Sequence, residues 1–543
     1  MHTESLFFEY SKKITEDFLS TAVIFDDQAN FGDYSLIKPK IVTSPPTRKR
    51  SAGKKTEQAS KEPPTKMDGD SVEQSHDLNA KKVIDSFAKK GILCSVIKPE
   101  EHEIEGLHET VTPLCKNVDL IIFDWELSRI SDKTSLPLVK DTIKLFNNSC
   151  PQQLRLIAIY TGATDIDKVF NQVKEELKID CQVEDIDGNR CQIGACRLLV
   201  FAKKAAKTAE GVTKISFEEL ANFLVEEYTK MTNGLLSNVV MKSFSVIKQN
   251  THQILKKFSG IDFPFLTHRT CLPNPEEAEE HSATLISEEI LSLLEEYNVG
   301  QVSDFKALKY YFDHQPESKK YSLKPFNNVN KLLTKEQVLG LWEQGILERP
   351  DFLNKKEFEK GKIFKSLTDI YADDANGEIL DLKYAALTTL RSKYSNSLPY
   401  LTLGIIVKEL SDQEKYWICL QPRCDSVRLS GDTSFPFLPV SDKGKIHCVI
   451  PDGSDSFVRK KISLKFSDCK KISFSANPLT KIIQATAVGA EFLFQDIRDN
   501  KFRFICELKP EYAQRLSNSF AANISRVATN NTEWLRRCEE KNL

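Results

Sequence analysis

Four short apolar runs constrain this chain most, because each ends in a side chain able to handle a phosphoryl group: TAVIFDD, VDLIIFD, LRLIAIYTG and CRLLVFAKK. In chain order they deliver Asp26 and Asp27, then Asp124, then Thr161, then Lys203. The runs are rich in Val, Ile, Leu and Phe without polar alternation, the pattern of strands buried on both faces of a parallel sheet. Helical periodicity fills the segments between them. A parallel α/β sheet gathers its functional groups at the carboxyl ends of its strands, so these five side chains are expected to meet in one crevice. Phosphoryl transfer is mostly positioning and charge neutralisation, and a hard cation takes oxygen ligands. Three carboxylates, a hydroxyl and an amine in one small volume meet those needs.

Strand and helix alternate five times. An amphipathic helix is expected at about 6–19, with Phe7, Ile14, Phe18 and Leu19 toward the sheet. Further helices are expected at about 77–90, 105–115, 136–146, 165–177 and 217–228, and another strand at 92–97. A polar hairpin, CQVEDIDGNRCQI, precedes the Lys203 strand. The alternation predicts a doubly wound, flavodoxin-like α/β sheet of five parallel strands in the order 2-1-3-4-5. From about 35 to 75 the chain runs through Ser, Pro, Lys and Gly with little to bury, and a disordered insertion is expected there, beside the Asp124 strand end.

Beyond residue 232 the signal becomes helical, in MKSFSVIKQNTHQIL, SATLISEEILSLL, TKEQVLGLWEQGIL and ILDLKYAALTTL. After Pro399 it changes to strands: YLTLGIIVKEL, KYWICLQPR, KIHCVIP, KISLKFS, AEFLFQDI and FRFICEL. A closing amphipathic helix is expected at about 511–537, with Leu516, Phe520, Ile524 and Val527 on one stripe. The expected organisation is an α/β domain at 1–232, a helical middle domain at 233–395 and an α+β domain at 396–543. A chain of 543 residues agrees with that number, at roughly 100–200 residues per domain.

A net charge of −2 exerts no pull toward nucleic acid or anionic membrane, so neither partner is expected. The N-terminus lacks an apolar signal core and no apolar run reaches a membrane span, so a cytoplasmic location is expected. Thirteen cysteines fit buried thiols in a reducing compartment. Cys419, Cys424, Cys448 and Cys469 lack the close pairs of a zinc site and read as core thiols. His281 reads as a surface histidine at a helix start, and Arg423, Asp425 and Arg428 as a salt-bridged turn.

The ordered set Asp26, Asp27, Asp124, Thr161 and Lys203 resembles the receiver domain of two-component signalling, in which an aspartate accepts a phosphoryl group from a phosphohistidine. On that resemblance Asp124 is the phosphoacceptor. Asp26, Asp27, the Asp124 carboxylate and the backbone carbonyl of Glu126 hold Mg2+, while Thr161 and Lys203 meet the phosphoryl oxygens. Two positions depart from the receiver pattern: Val200 stands where many receivers carry an aromatic switch, and Lys204 where proline is usual, which leaves Lys204 open as an alternative phosphate ligand. A haloacid-dehalogenase-like phosphohydrolase uses similar groups, but Glu126 replaces its second aspartate and no strand ending in paired acids follows Lys203.

No glycine-rich nucleotide loop, nucleophile elbow or metalloprotease helix occurs downstream. The whole chain, including QPRCDSVRL, FPFLPV and RVATNNTEWLRR, resembles response receiver domain proteins of bacterial antiviral operons, in particular those without a toxic effector. That resemblance implies a cognate histidine kinase as partner, a second effector-bearing receiver reached through the shared kinase, and no enzymatic activity beyond accepting phosphate and slow autodephosphorylation. The chain would then buffer or relay phosphoryl groups in anti-phage defence. The alternative is a response regulator whose C-terminal region is an unrecognised effector or partner-binding module.

Overall fold

A computed structural model describes residues 6–32, 77–100, 107–128, 133–149, 154–272, 277–315, 319–323, 331–346, 367–371, 377–392, 398–411, 414–453 and 456–525. The insertion expected at 35–75 and the closing helix beyond 525 lie outside these residues. The chain divides into two compact units, Met1–Glu317 and Ser318–Leu543. That single boundary falls inside the helical stretch expected at 233–395, so its first helices belong to the same unit as the sheet.

In the first unit, β1 (Thr21–Phe25), β2 (Leu93–Ile97), β3 (Leu120–Phe123), β4 (Arg155–Thr161) and β5 (Cys196–Lys203) run parallel in the order 2-1-3-4-5, as the apolar runs predict. Register brings the strand ends level. Phe25 lies beside Phe123, Phe123 beside Ile159, and Thr161 beside Ala202. The Asp124 amide then donates to the Phe25 carbonyl at 2.8 Å, which sets the two acid-bearing loops side by side.

Both faces of the sheet are covered, which is why its strands carry no polar alternation. On one face Val23, Ile121, Ile157 and Leu198 pack against α3 (Leu107–Cys115), α4 (Leu136–Ser149) and α5 (Ile166–Lys178). On the other, Ile24, Ile122, Tyr160 and Phe201 meet α2 (Ala80–Ala88) and α6 (Leu220–Thr232) through Phe87, Leu224 and Tyr228. Side-chain caps start two of these helices: Asn79 accepts from the Lys82 amide at 3.0 Å and Asp165 from the Lys168 amide at 2.9 Å.

The sheet extends past β5. Strands Glu184–Ile186 and Arg190–Ile193 form the expected hairpin, antiparallel to the first part of β5, and Lys214–Ile215 runs parallel beside Ala202–Lys203. Gly188 and Asn189, at φ 65° and 59°, supply the two left-handed positions that tighten the hairpin turn. Arg190 ties the hairpin to α6, its Nε and Nη2 reaching Glu227 at 2.7 and 2.8 Å, and Lys230 adds a third contact at 2.8 Å.

Glu227 is fully buried. Burial alone would raise its carboxyl, yet Arg190 and Lys230 hold it below the usual glutamate value. Its stabilising contribution is therefore complete above the ordinary glutamate pKa and lost as pH falls through the lowered one. Glu227→Ala is expected to cost about 2–3 kcal/mol at neutral pH, since Arg190 loses its partner but keeps some solvent. Urea melts at neutral and acidic pH check this, and the deficit should shrink on acidification.

The helix before β1, α1 (Leu6–Phe18), packs on two sides. Ile14 lies against the sheet layer, as does Leu19 just beyond it. Phe7, expected there too, instead meets Tyr311 edge-on at 5.0 Å, on the far side. Tyr311 belongs to α10 (Phe305–Asp313), which follows α7 (Leu235–Phe258), α8 (Asp262–Cys271) and α9 (Glu277–Glu296). Asn238 of α7 donates to the buried Ser11 hydroxyl at 2.9 Å. α1 thus joins the α/β sheet to the helices behind it.

The second unit contains helices Lys335–Gln344 and Gly377–Thr389, then a nine-stranded sheet and the helix Pro510–Ile524. Its pairings are antiparallel, with Asp432–Ser441 bonded to Lys415–Cys419 on one edge and to Lys470–Ser475 and then Phe457–Ile462 on the other. Sequence periodicity passes over this strand because Pro436 and Pro439 break it. Prolines lack an N–H but still accept: the Leu420 amide bonds Pro436 O at 2.9 Å. The strand expected in KISLKFS ends at Ile462, and Phe466–Asp468 forms a single 3-10 turn. Among the described residues no helix is long and apolar enough to cross a membrane.

Candidate functional site

Four strand ends bring one cluster of polar side chains together. Lys203, the last residue of β5, reaches across β4 and β3, its Nζ donating to Asp26 Oδ2 at 2.7 Å and to Asp124 Oδ2 at 2.8 Å. Asp26, Asp124, Thr161 and Lys203 are all buried, Lys203 to within 1% exposure, and Asp27 is half-buried. The remaining carboxylate oxygens are held by backbone: Asp26 Oδ1 accepts from Gln28 N and Asp124 Oδ1 from Trp125 N, both at 2.8 Å. Thr161 Oγ1 accepts from the Ala163 amide at 3.1 Å, which leaves the hydroxyl proton available. Phe25 and Phe123 stack at 5.2 Å directly before the two acids and fix the loops that carry them.

A buried lysine is tolerated here because two carboxylates meet it. Burial pulls its ammonium down, but Asp124 and Asp26 outweigh that and leave it above the ordinary lysine value. For Asp124 the balance runs the other way: burial pushes the carboxyl up to about 7, Lys203 pulls it down and Asp26 raises it again. One cation against this group of acids leaves negative charge that a second cation would relieve. Asp26, Asp27 and Asp124 can each offer an oxygen within 4.8 Å of the others. An all-oxygen, carboxylate donor set of that size fits a hard divalent cation such as Mg2+.

Residues 18–208 match the response receiver domain family. No curated protein and no solved structure matches the chain. The matched segment of this receiver domain spans β1 to β5 and includes Asp26, Asp27, Asp124, Thr161 and Lys203. Its acidic trio is typical of a phospho-accepting site. Lys204 is exposed, and it is Lys203 that contacts both acids. Glu126 opens a short strand, Glu126–Ser128, paired with Lys133–Thr134, and its side chain is exposed.

Val200 lies buried among the α3–α5 contacts, so no aromatic occupies that position of the receiver domain. The structure adds a neighbouring aromatic that the strand-end pattern does not mark. Tyr160, just before Thr161, is buried on the other face, with its ring 5.8 Å from Lys203 Nζ and its hydroxyl donating to the Ile215 carbonyl at 2.8 Å. The only sequence signal was a polar-tipped aromatic inside an apolar run. Other singled-out groups sit apart from the acids in sequence. The His281 ring lies 4.7 Å from that of His268, and Arg423 pairs with the buried Glu507 at 2.7 Å rather than with a neighbour in its own turn. Cys419 and Cys448 are buried, which pushes both thiols up to about 12.

Proposed function

We propose that this chain accepts a phosphoryl group from a histidine kinase on Asp124 and buffers or relays it. The observation that supports this most is Lys203 bridging Asp26 and Asp124, because one carboxylate must attack while another cation-binding acid stays beside it. In the reaction an Asp124 oxygen attacks the phosphorus of a phosphoimidazole. A P–O bond forms as the P–N bond breaks, and the departing imidazole nitrogen takes its proton from solvent. Lys203 exchanges its contact with Asp124 for a phosphoryl oxygen, and Thr161 donates its hydroxyl proton to another. Asp26, Asp27, Asp124 and the Glu126 carbonyl would hold Mg2+. When bound, that ion neutralises charge on the transferring group.

Incubation with phosphorylated kinase, or with acetyl phosphate as a small donor, is expected to leave an acid-stable, base-labile label on the protein. Chelation with EDTA should lower its formation on the order of 100-fold. A label of equal rate in EDTA, or one retained by Asp26→Ala with Asp27→Ala, overturns the reading. The finer assignment, a phosphoryl buffer of a bacterial anti-phage system, rests on the resemblance of the whole chain to effector-free members of such operons. It predicts that adding this protein drains phosphate from a kinase shared with an effector-bearing receiver.

One observation favours a second reading for residues 318–543. An open cavity of about 700 Å³ in that unit is lined by Lys443, Lys445 and Lys465 with Ser441 and Ser463. Three lysines against one acid, Asp468, leave the lining net positive and suit an anionic partner, which would make the unit a binding module under receiver control. Expressing the full chain with Lys443→Glu and Lys465→Glu should then change output while leaving phosphoryl labelling intact.

A further inference from the structure

The nine-stranded sheet of the second unit has an edge strand, Ile446–Pro451, that bonds along one side to Phe457–Ile462. It also lies close to Lys501–Glu507, a strand from well inside the sheet order, and among the described residues no ladder joins the two. An unsealed seam of this kind needs cover for its apolar side chains. The helices Gly377–Thr389 and Pro510–Ile524 cover part of it and leave two hollows.

The first hollow, of about 400 Å³, opens between Ile446–Pro451 and the helix Pro510–Ile524. Cys448, Ile462, Leu508 and Leu516 form its floor, and all four are core residues less than a tenth exposed. Lys445 and Arg515 are exposed at its mouth, and no acidic residue lines it. Neither cation has an ion-pair partner among the described residues. The second hollow, of about 510 Å³, lies further along the seam, from Pro451 to Phe504 and Cys506. Of its basic residues, Arg391 already pairs with Glu507, and Lys509 with the Leu387 carbonyl. A negative charge entering the seam is therefore best met at Lys445 and Arg515. Small-molecule sites run to roughly 300–1,000 Å³, mostly apolar with a few polar groups that fix orientation, and the first hollow meets that description. The guanidinium fork of Arg515 matches a carboxylate, and the floor matches a hydrocarbon chain.

We infer that the first hollow binds a fatty acid of medium chain length, its carboxylate at Lys445 and Arg515 and its chain on Cys448, Ile462, Leu508 and Leu516. The site is separate from the phosphoacceptor and shares only Lys445 with the lysine-lined hollow. Calorimetric titration of the full chain with dodecanoate is expected to give one site with a dissociation constant on the order of 10 µM. Decanoate should bind about tenfold more weakly, because two fewer CH2 groups are buried. Arg515→Glu should weaken dodecanoate about tenfold or more, with circular dichroism confirming that this exposed substitution leaves the fold intact. Dodecanol, which has the chain without the charge, should lose as much in the wild type and be indifferent to the substitution. Lys443→Glu with Lys465→Glu should leave dodecanoate binding within about threefold, since neither residue lines this hollow. No binding at about 1 mM, an affinity independent of chain length, indifference to Arg515→Glu, or an equal loss in the Lys443/Lys465 variant overturns the inference.

Discussion

Asp124→Asn is expected to lose phosphoryl labelling on the order of 100-fold or more, because the amide oxygen is a far poorer nucleophile than the carboxylate. Wild-type labelling in this variant would remove Asp124 from the reaction. The same substitution has a second, independent signature. In metal-free protein, burial first and Asp26 next hold the Asp124 carboxyl at about 7, against the pull of Lys203. A carboxyl raised above its ordinary value binds its proton more tightly in the native state than in the unfolded one. Stability therefore falls as pH rises between those two values. In EDTA, Asp124→Asn should melt above the wild type at about pH 8, and the gap should close toward about pH 4. Melting curves at the two pH values separate this from a merely disrupted fold, which would lower the midpoint at both.

Lys203→Met is expected to be the most damaging single change in the receiver domain. Lys203 is buried between Asp26 and Asp124, at 2.7 and 2.8 Å, so its loss strands two buried carboxylates without their cation. Removing one partner from such a pair costs about 3–5 kcal/mol. Methionine conserves most of the volume, so the loss is electrostatic rather than a cavity. The deficit should narrow on acidification, because protonation discharges the stranded acids, and should narrow again when millimolar Mg2+ supplies a replacement cation. Urea titrations with and without Mg2+ measure both effects. A deficit independent of pH and of Mg2+ would mean that Lys203 acts through packing alone.

The parallel core was legible because each of its central strands is apolar throughout, and only burial on two faces makes that pattern favourable. The same strands supply the residues of the candidate site, since an acid, hydroxyl or amine terminates each run. Legibility dropped wherever the period was broken. Asp432–Ser441 is central to the second sheet, yet Pro436 and Pro439 interrupt its alternation, and pairing with neighbours on both sides, in which the two prolines accept through their carbonyls, makes it a strand. Phe7 looked like a sheet-packing residue, because amphipathic spacing says which face is apolar without saying what it meets; its partner, Tyr311, lies roughly 300 residues away in sequence.

What the amino-acid order determined by itself was local: which runs are doubly buried, where they stop, and which five side chains stand at their ends. Those properties follow from hydrophobic periodicity and from the alternation of strand and helix, both of which act over a few residues. The tertiary structure decided the rest. Parallel register brought Asp26 within hydrogen-bonding distance of Lys203, 177 residues along the chain, and left Lys204 exposed. It also placed Tyr160 beside that lysine, and turned the Leu236, Val240 and Phe244 stripe outward while packing the opposite side of α7. Contact between distant segments depends on loop closure and on competing faces, and neither is written in the spacing of any one segment.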